Sequence, residues 1–494
     1  ATEPVTLKAC ANSDCSTLYS NSASVTFTAS IPGPVTSSSE VTFTESVVMI
    51  VAESTETTVT MSLSASSPNA SLQCYQNSVL DANCNYDTTD TGFLFLNDSD
   101  GTDTILTQLS DKPSNTGYNS KTLSLQAVQL DSNTGSCAPL FVDGSDVSVE
   151  LAYECETPSS CSGDPVVMTN NGNPVTLGQH SSYIASNLRF AADSKAVFSF
   201  KYPEAGQIKL HARKSIELLP GKTKVMTGNS NSFVVKPLAL RLDLDGVTNG
   251  LAVDANDTAF RQTGEAFVVN GSAVRWATGQ DANGDGSPDP ADDLSGNGVT
   301  DNFTAETLSL THTVAHPAAA AVGILSGTTN GQSFASGTAQ VTDLAWNEVG
   351  IINLSGQLGD GDYLGTGNLS AVLNNVGRFV PDHFTLIASN VINGCGAFTY
   401  MAQDFNVTLN IQAQNLAGDI TTNYNTGHDK ASLVFVAENV VAGIDAELTG
   451  RLIVAPTVWS DGEINGAFAA SISQAVDGPF DNTFVGFRLD DGEP

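Results

Sequence analysis

The sequence predicts an all-β protein of tandem immunoglobulin-like β-sandwich domains, disulfide-bonded, with a calcium-loop insertion. Three observations carry that class. β-Formers alternate with polar residues at period two wherever a pattern exists. Clusters of Gly, Asn, Asp, Ser and Pro, such as Asn170 to Pro174, separate the alternating runs at sandwich-like spacing. Helical periodicity is confined to a short stretch around Ala318 that reads equally well as loop. The alternating runs, in chain order, are Val25 to Ala29, Glu40 to Thr44, Thr58 to Ser64, Ala196 to Tyr202, Gln207 to Ala212, Leu308 to Val314 and Asn406 to Ala413. Each puts β-formers on one face and polar residues on the other, the mark of a half-buried strand.

The chain has 494 residues, which at roughly 150 residues per domain means three or four domains. The parsing is a cysteine-rich β region over 1–160, a sandwich over 161–240, a sandwich over 241–385 carrying an acidic insertion at 281–301, and a last sandwich over 386–494. An internal repeat supports the last two. The strand from Phe267 leads to Thr300, Asn302 and Phe303, and the strand from Phe405 leads to Thr421, Asn423 and Tyr424. Both copies read strand, loop, then Thr-x-Asn-aromatic, and the longer loop of the first coincides with the acidic insertion.

Eight cysteines set the compartment. Cys10 and Cys15, then Cys74 and Cys84, are spaced for local loops, and Cys137, Cys155, Cys161 and Cys395 then have three possible pairings. No CxxC occurs and no His lies close to a Cys, which disfavours zinc–thiolate sites. Disulfides in an oxidising, extracellular setting are the expectation for all eight. The net charge of −34, with only 19 Lys+Arg, excludes a nucleic-acid binder. Charged residues are 15% of the chain, against about 25% in ordinary globular domains, and Ser, Thr, Asn and Gly make up the difference. No apolar run approaches the roughly 20 residues of a transmembrane helix; the longest are Ser46 to Ala52 and Ala318 to Leu325. The opening Ala-Thr-Glu-Pro lacks the pattern of a signal peptide. A removed signal or an excerpt of a longer protein is expected.

The sharpest local signal is the run from Asp281 to Asp292. With Asp281 at position 1, Asn283, Asp285, Asp289 and Asp292 supply oxygens at 3, 5, 9 and 12, the Ser287 carbonyl falls at 7 and Gly286 at the sharp turn. That is the ligand schedule of a twelve-residue calcium loop, in which six to eight hard oxygens surround the ion. Asp293, Ser295, Asn297 and Asp301 form a looser turn that could share or extend the site. Pro288 and Pro290 forbid an exiting helix, so the likeness is to extracellular calcium-stiffened loops. Asp243 and Asp245 read as a hairpin rim.

No catalytic constellation stands out. His180, His211, His312, His316, His383 and His428 include no HExxH, and His312 and His316 lie in or just after an alternating strand, where a four-residue spacing makes no helical metal pair. There is no Gly-x-Ser-x-Gly elbow and no phosphate-cradling glycine loop. A chance carboxylate pair of a secreted hydrolase has nothing to single it out. Trp276, Trp346 and Trp459 lie in or beside apparent strands and read as core rather than as a sugar platform.

Two stretches carry a family resemblance. Val376 to Phe384, with its Gly-Arg-Phe-Val-Pro-Asp, and Cys395 to Phe405, with its Cys-Gly-Ala-Phe-Thr-Tyr, resemble the large domain of the MshQ-like proteins encoded with the mannose-sensitive haemagglutinin (MSHA) type IV pilus. The opening Ala9 to Tyr19 is similar to the start of that domain. Family members often add a lectin-like sandwich before this region and further sequence after it. The resemblance implies a non-enzymatic protein on the bacterial cell surface or pilus, with pilus subunits as partners, acting as an adhesin or as a tip or stalk component. It carries over no catalytic residues. A carbohydrate-binding module that takes a surface glycan is the alternative.

Overall fold

The computed structural model describes residues 2–12, 15–30, 36–52, 57–69, 71–76, 79–81, 83–88, 91–131, 136–141, 144–219, 222–247, 250–318, 320–425, 427–440 and 446–493. The chain forms two units, residues Ala1–Lys236 with Ala277–Asp289, and Pro237–Trp276 with Pro290–Pro494. Among the described residues, helix is limited to one 3-10 turn, Thr449–Arg451, and the stretch around Ala318 is loop.

The first unit opens with a small β domain. Its strand Ser22–Ser30 pairs antiparallel with Thr36–Thr44 on one side and Thr57–Ser67 on the other, and Thr2–Lys8 pairs with Ser46–Ala52. Side chains along Ser22–Ser30 alternate strictly, with Ala23, Val25, Phe27 and Ala29 buried, because a pleated strand turns successive residues to opposite faces. Val25, Phe27, Leu7, Val51 and Val59 make the core.

An immunoglobulin-like sandwich follows. One sheet runs Gln108–Leu109, Phe233–Lys236, Gly206–Leu219, Asp146–Thr157 and Gly178–Gln179; the facing sheet runs Ser136–Pro139, Leu123–Asp131, Lys195–Lys201, Val167–Asn170 and Asn173–Thr176. Leu125, Leu151, Phe190, Ile208 and Met226 are buried between them. This sandwich corrects the division at residue 160. The strand Asp146–Thr157 pairs with Gly206–Leu219, so a cut at 160 would separate hydrogen-bonded neighbours of one sheet.

The second unit holds two sandwiches. In the first, the strands Ala239–Leu244, Phe267–Val274, Thr338–Trp346 and Leu325–Ser326 face a sheet of Arg261–Gln262, Ser370–Val380, Gly350–Leu358, Thr307–His316 and Asn330–Ser333. Trp346, Phe267 and Phe260 surround Phe379 at ring-centroid distances of 5.3, 5.6 and 5.5 Å. In the second, His383–Ile392, Phe405–Gln414, Glu463–Ile472 and Leu452–Val454 face Ala446–Glu447, Ser432–Asn439 and Thr483–Asp490. Tyr424 and Trp459 meet edge to face in its core at 5.0 Å. Trp346 and Trp459 are therefore core residues, while Trp276 is half-buried.

The internal repeat is a repeated clasp. In the second sandwich of the chain the N–H of Thr300 donates to the Ala273 carbonyl, and the Ala273 N–H donates to the Gly337 carbonyl. In the third, Thr421 donates to Ala413, and Ala413 to Gly462. The threonine hydroxyl adds a bond to the same alanine carbonyl in each, at 3.3 and 3.0 Å. Both glycines have positive φ, +74° and +80°, and a Cβ there would sit 2.4 Å from the threonine carbonyl oxygen. The first sandwich carries a third, degenerate copy: Leu140 donates to Ala127, and Ala127 to Ser194, whose φ is +61°. Parallel terminal strands recur as well. Gln108–Leu109 runs parallel to Phe233–Lys236, and Arg261–Gln262 to Ser370–Val380.

Three disulfides join Cys10 to Cys15, Cys74 to Cys84 and Cys155 to Cys161. The side chain of Cys137 lies outside the described residues. Cys395 corrects the expectation of a disulfide: it is an exposed free thiol. It is the only cysteine of its unit, and its backbone is held in a turn by reciprocal bonds with Phe398.

Candidate functional site

The acidic insertion folds as a chain of Asx turns, the local solution that Asp and Asn favour. Asp281 is buried with φ +54°, and its Oδ1 accepts the Gly286 N–H at 3.0 Å. The Asn283 Oδ1 accepts from the Asp285 N–H and the Asp285 Oδ1 from the Ser287 N–H, both at 2.9 Å. The Asp289 Oδ2 closes the loop on the Ala282 N–H at 2.8 Å. These bonds fold the run into successive turns that carry the side-chain oxygens of Asp281, Asn283, Asp285 and Asp289, the donor type that calcium takes, without bringing their three carboxylates into one cluster of ligand atoms.

Two cations of the same unit face the loop. Lys112 and Lys236 are buried, and the Lys112 ammonium donates to the carbonyls of Pro113 and Thr116. Burial pulls Lys112 down to about 8, against the attraction of Asp281. Burial lowers Lys236 as well, opposed by Asp281 and Asp285. Asp281 itself is raised, first by burial and then by the Asp285 charge, with the Gly286 hydrogen bond and Lys112 acting the other way. A divalent ion bound here would meet a partly compensated set of charges.

The remaining predicted ligands, Asp292, Asp293, Asn297 and Asp301, belong to the second unit. There a guanidinium takes the turn's carbonyls: Nη1 of Arg241 donates to Leu294, Ser295 and Asn297 at 3.0, 3.2 and 3.4 Å, and its Nε to Asp243 at 2.7 Å. Asn297 donates its amide to the Arg275 carbonyl at 2.7 Å, and Asp293 caps the Ser295 N–H. This second turn is built around an arginine. Asp245 accepts from Gln340 at 3.1 Å, on the strand pairing with its own hairpin.

Among the described residues, one group of three metal-ligating side chains converges, and the sequence did not single it out: Glu154, His180 and His211. Three neighbouring strands place it. In the antiparallel pair Ala152 faces His211, and in the parallel pair Ala152 faces Gly178 and Tyr153 faces Gln179. Glu154, two residues along the same face, therefore comes between His211 and His180. The Glu154 Oε2 lies 2.9 Å from His211 Nε2 and 3.9 Å from His180 Nδ1, and the two imidazoles stack at 4.0 Å. Burial lowers the His211 pKa first, then the charge of His180, while the Glu154 hydrogen bond opposes both. Strand register alone brings the three together, and residue spacing along the chain does not reveal it. His312, by contrast, bonds the Val322 carbonyl through Nε2 at 2.9 Å, and His383 is held by Asp382 and Gln414 at 2.7 and 3.0 Å.

The resemblance motifs separate in character. Arg378 is buried, with Nε on the Asp257 carbonyl at 2.8 Å and its guanidinium paired with Glu493. Phe398 and Tyr400 are 50% and 63% exposed and meet edge to face at 5.0 Å.

Among solved structures the chain is similar to invasin, a bacterial integrin-binding protein, with a TM-score of 0.32 at 10% identity over 81% of this chain and 56% of that one. The chain thus spans just over half of the invasin chain's length. The D0-D1 domain of intimin gives a TM-score of 0.16 at 14% identity, over 58% of this chain and 97% of that one, and a marsupial T cell receptor gives 0.19 at 10%, over 81% and 96%. No curated protein matches the chain. Residues 1–69 match a domain of unknown function, DUF8613. Residues 71–229, 236–343 and 348–494 match the first Ig-like domain, the second domain and the third domain of DUF6701. With three consecutive domains of one family covering most of its length, the chain belongs to the DUF6701 family.

Proposed function

We propose that this chain is a non-enzymatic, extracellular protein of the bacterial surface, acting as an adhesin or as a tip or stalk component of an MSHA-like type IV pilus. The carrying observation is a run of exposed apolar residues in the third DUF6701 domain. Phe398 and Tyr400 follow Leu386, Ile387, Val391 and Ile392 of the edge strand His383–Ile392 in sequence, and all are between 41% and 63% exposed. Large apolar residues left exposed together in one segment of a largely polar chain are a feature of interaction sites. The Cys-Gly-Ala-Phe-Thr-Tyr motif that underlies the pilus resemblance lies in this exposed segment. The three disulfides support export to an oxidising compartment.

The test is immunogold electron microscopy, with antibody to this chain on intact cells and on sheared pili. Gold at filament tips or along filaments supports the proposal. Gold confined to the cell body, with bare pili, refutes the pilus assignment.

Calcium at Asp281, Asn283, Asp285 and Asp289 is part of the same proposal, with the ion stiffening the insertion. A thermal melt in excess calcium against chelator should show a higher midpoint with the ion. Asp285→Asn should lose that gain and Asp481→Asn, on an exposed residue elsewhere, should keep it. An unchanged wild-type midpoint, or equal loss in both variants, removes calcium from the proposal.

A further inference from the structure

We propose that Glu154, His180 and His211 form a binding site for a divalent transition metal of the zinc class on the outer face of the first DUF6701 domain. The outward residues of the strands Asp146–Thr157 and Gly206–Leu219 make a ladder of acid–base pairs. Glu150 binds Arg213 at 2.7 Å and Glu156 binds Lys209 at 3.1 Å. Between these two rungs the basic partner is a histidine, and a second histidine is added from the next strand. Lysine and arginine can only pair with a carboxylate; two imidazoles with one carboxylate are a metal-ligand set.

The geometry is close to what an ion needs. Ligand atoms about 2.0 to 2.2 Å from zinc in a tetrahedral shell stand roughly 3.3 to 3.5 Å from one another. The observed separations of 2.9 and 3.9 Å from Glu154 Oε2 bracket that value. All three ligand atoms lie within 4.8 Å of one another. The two rings stack at an interplanar angle of 19°, so binding requires the His180 ring to turn out of the stack about its side-chain torsions and bring its in-plane lone pair to the ion.

The surroundings hold the ligands in place. Gln179, next to His180, donates to the carbonyl of Cys161 at 3.1 Å, and Cys161 is disulfide-bonded to Cys155, next to Glu154. The 178–182 turn that presents His180 is closed by the Ser182 N–H on the Gln179 carbonyl. It is so tight that a Cβ at Gly178 would lie 1.7 Å from the Ser182 carbonyl oxygen. His211 is held at the centre of its sheet, with its side chain only 12% exposed. The His180 side chain is 47% exposed, so one coordination position opens to solvent, as in zinc sites that keep three protein ligands. Imidazole ligands favour zinc, copper or nickel over calcium, which sets this site apart from the oxygen-only loop at Asp281.

The experiment uses the full chain, freed of metal by chelator, with zinc followed by isothermal titration calorimetry and cobalt by its visible absorption. Wild type should bind one equivalent of zinc, and cobalt should develop the intense bands of a low-coordinate nitrogen site. His180→Ala, which removes a half-exposed ring, should weaken binding at least tenfold and bleach the cobalt bands. Glu150→Gln, on the same face but outside the ligand set, should leave both readouts unchanged. Circular dichroism confirms that each variant folds. A wild type without a saturable one-to-one isotherm overturns the proposal, as does an isotherm that His180→Ala leaves unchanged.

Discussion

The repeated clasp makes a prediction that can be worked from its geometry. Gly462→Ala places a methyl group 2.4 Å from the Thr421 carbonyl oxygen, at a φ of +80°. The left-handed conformation alone costs roughly 1–2 kcal/mol for a residue with a Cβ. To relieve the clash, the hairpin must move by about 1 Å, the shortfall from ordinary van der Waals contact. That displacement breaks the bonds from Ala413 to Gly462 and from Thr421 to Ala413, at about 1 kcal/mol each. The lower entropy of an unfolded chain with Ala returns about 0.4–1 kcal/mol. The expected net loss is about 3 kcal/mol, or roughly 12 °C in the melting of a domain of this size. Gly361→Ala supplies the control, since its φ is +78° but nothing lies within 4 Å of the added methyl. It should cost only the conformational term, about 1 kcal/mol. Scanning calorimetry of the whole chain resolves the comparison, because separate domains need not melt together. Equal shifts for the two variants would refute the view that the clasp, rather than the backbone angle, requires glycine.

Two further predictions rest on buried polar groups of the second unit. Glu348, 6% exposed, accepts four hydrogen bonds, from the Val349 and Asn423 N–H groups on Oε1 and from the Thr422 N–H and hydroxyl on Oε2. Glu348→Gln turns one acceptor into a donor facing donors and should cost about 2–4 kcal/mol in urea unfolding, and a loss below about 0.5 kcal/mol would show that the pocket relaxes around it. His428 is buried and pushed down to about 4, first by burial and then by Arg378, His316 and Lys430, with Asp429 opposing. Because the unfolded chain takes up this proton near 6.5 and the folded chain only near 4, its contribution is fully present above about pH 6.5 and falls by about 3 kcal/mol as the pH drops to 4. Urea midpoints measured across that window should fall more steeply for wild type than for His428→Gln, and parallel slopes would remove His428 as the cause.

Much of the fold is legible in the sequence because the strands are buried on one face only. Val25 to Ala29 and Asn406 to Ala413 alternate in the sequence as they do in burial. The repeat is legible in the last two domains because the clasp's threonine is followed in both by Asn and an aromatic, Thr300 by Asn302 and Phe303 and Thr421 by Asn423 and Tyr424. The first domain fills the same hydrogen-bond pattern with Leu140 and Ser194, since backbone groups make the bonds and leave the side chains open to drift. That drift hid the first domain's unity, and the cysteine-rich composition up to Cys161 placed a boundary near residue 160. The acidic loop is legible because its donors are consecutive. Glu154, His180 and His211 are not, because 57 residues separate the ends of the set and only strand register unites them.

The parallel terminal strands have a mechanical consequence. Gln108 and Leu109 lie beside Val235 and Lys236, and Arg261 and Gln262 beside Phe379 and Val380, each pair reinforced by the next N–H, Ser110 to Lys236 and Thr263 to Val380. In a parallel pair the chain enters one strand at its start and leaves the other at its end. Tension along the polypeptide, once the leading strand of the domain has peeled, pulls the two strands past each other along their axes. The cross-links then bear the load together instead of unzipping one at a time. Such a domain yields to force abruptly and late, because its hydrogen bonds are loaded in shear.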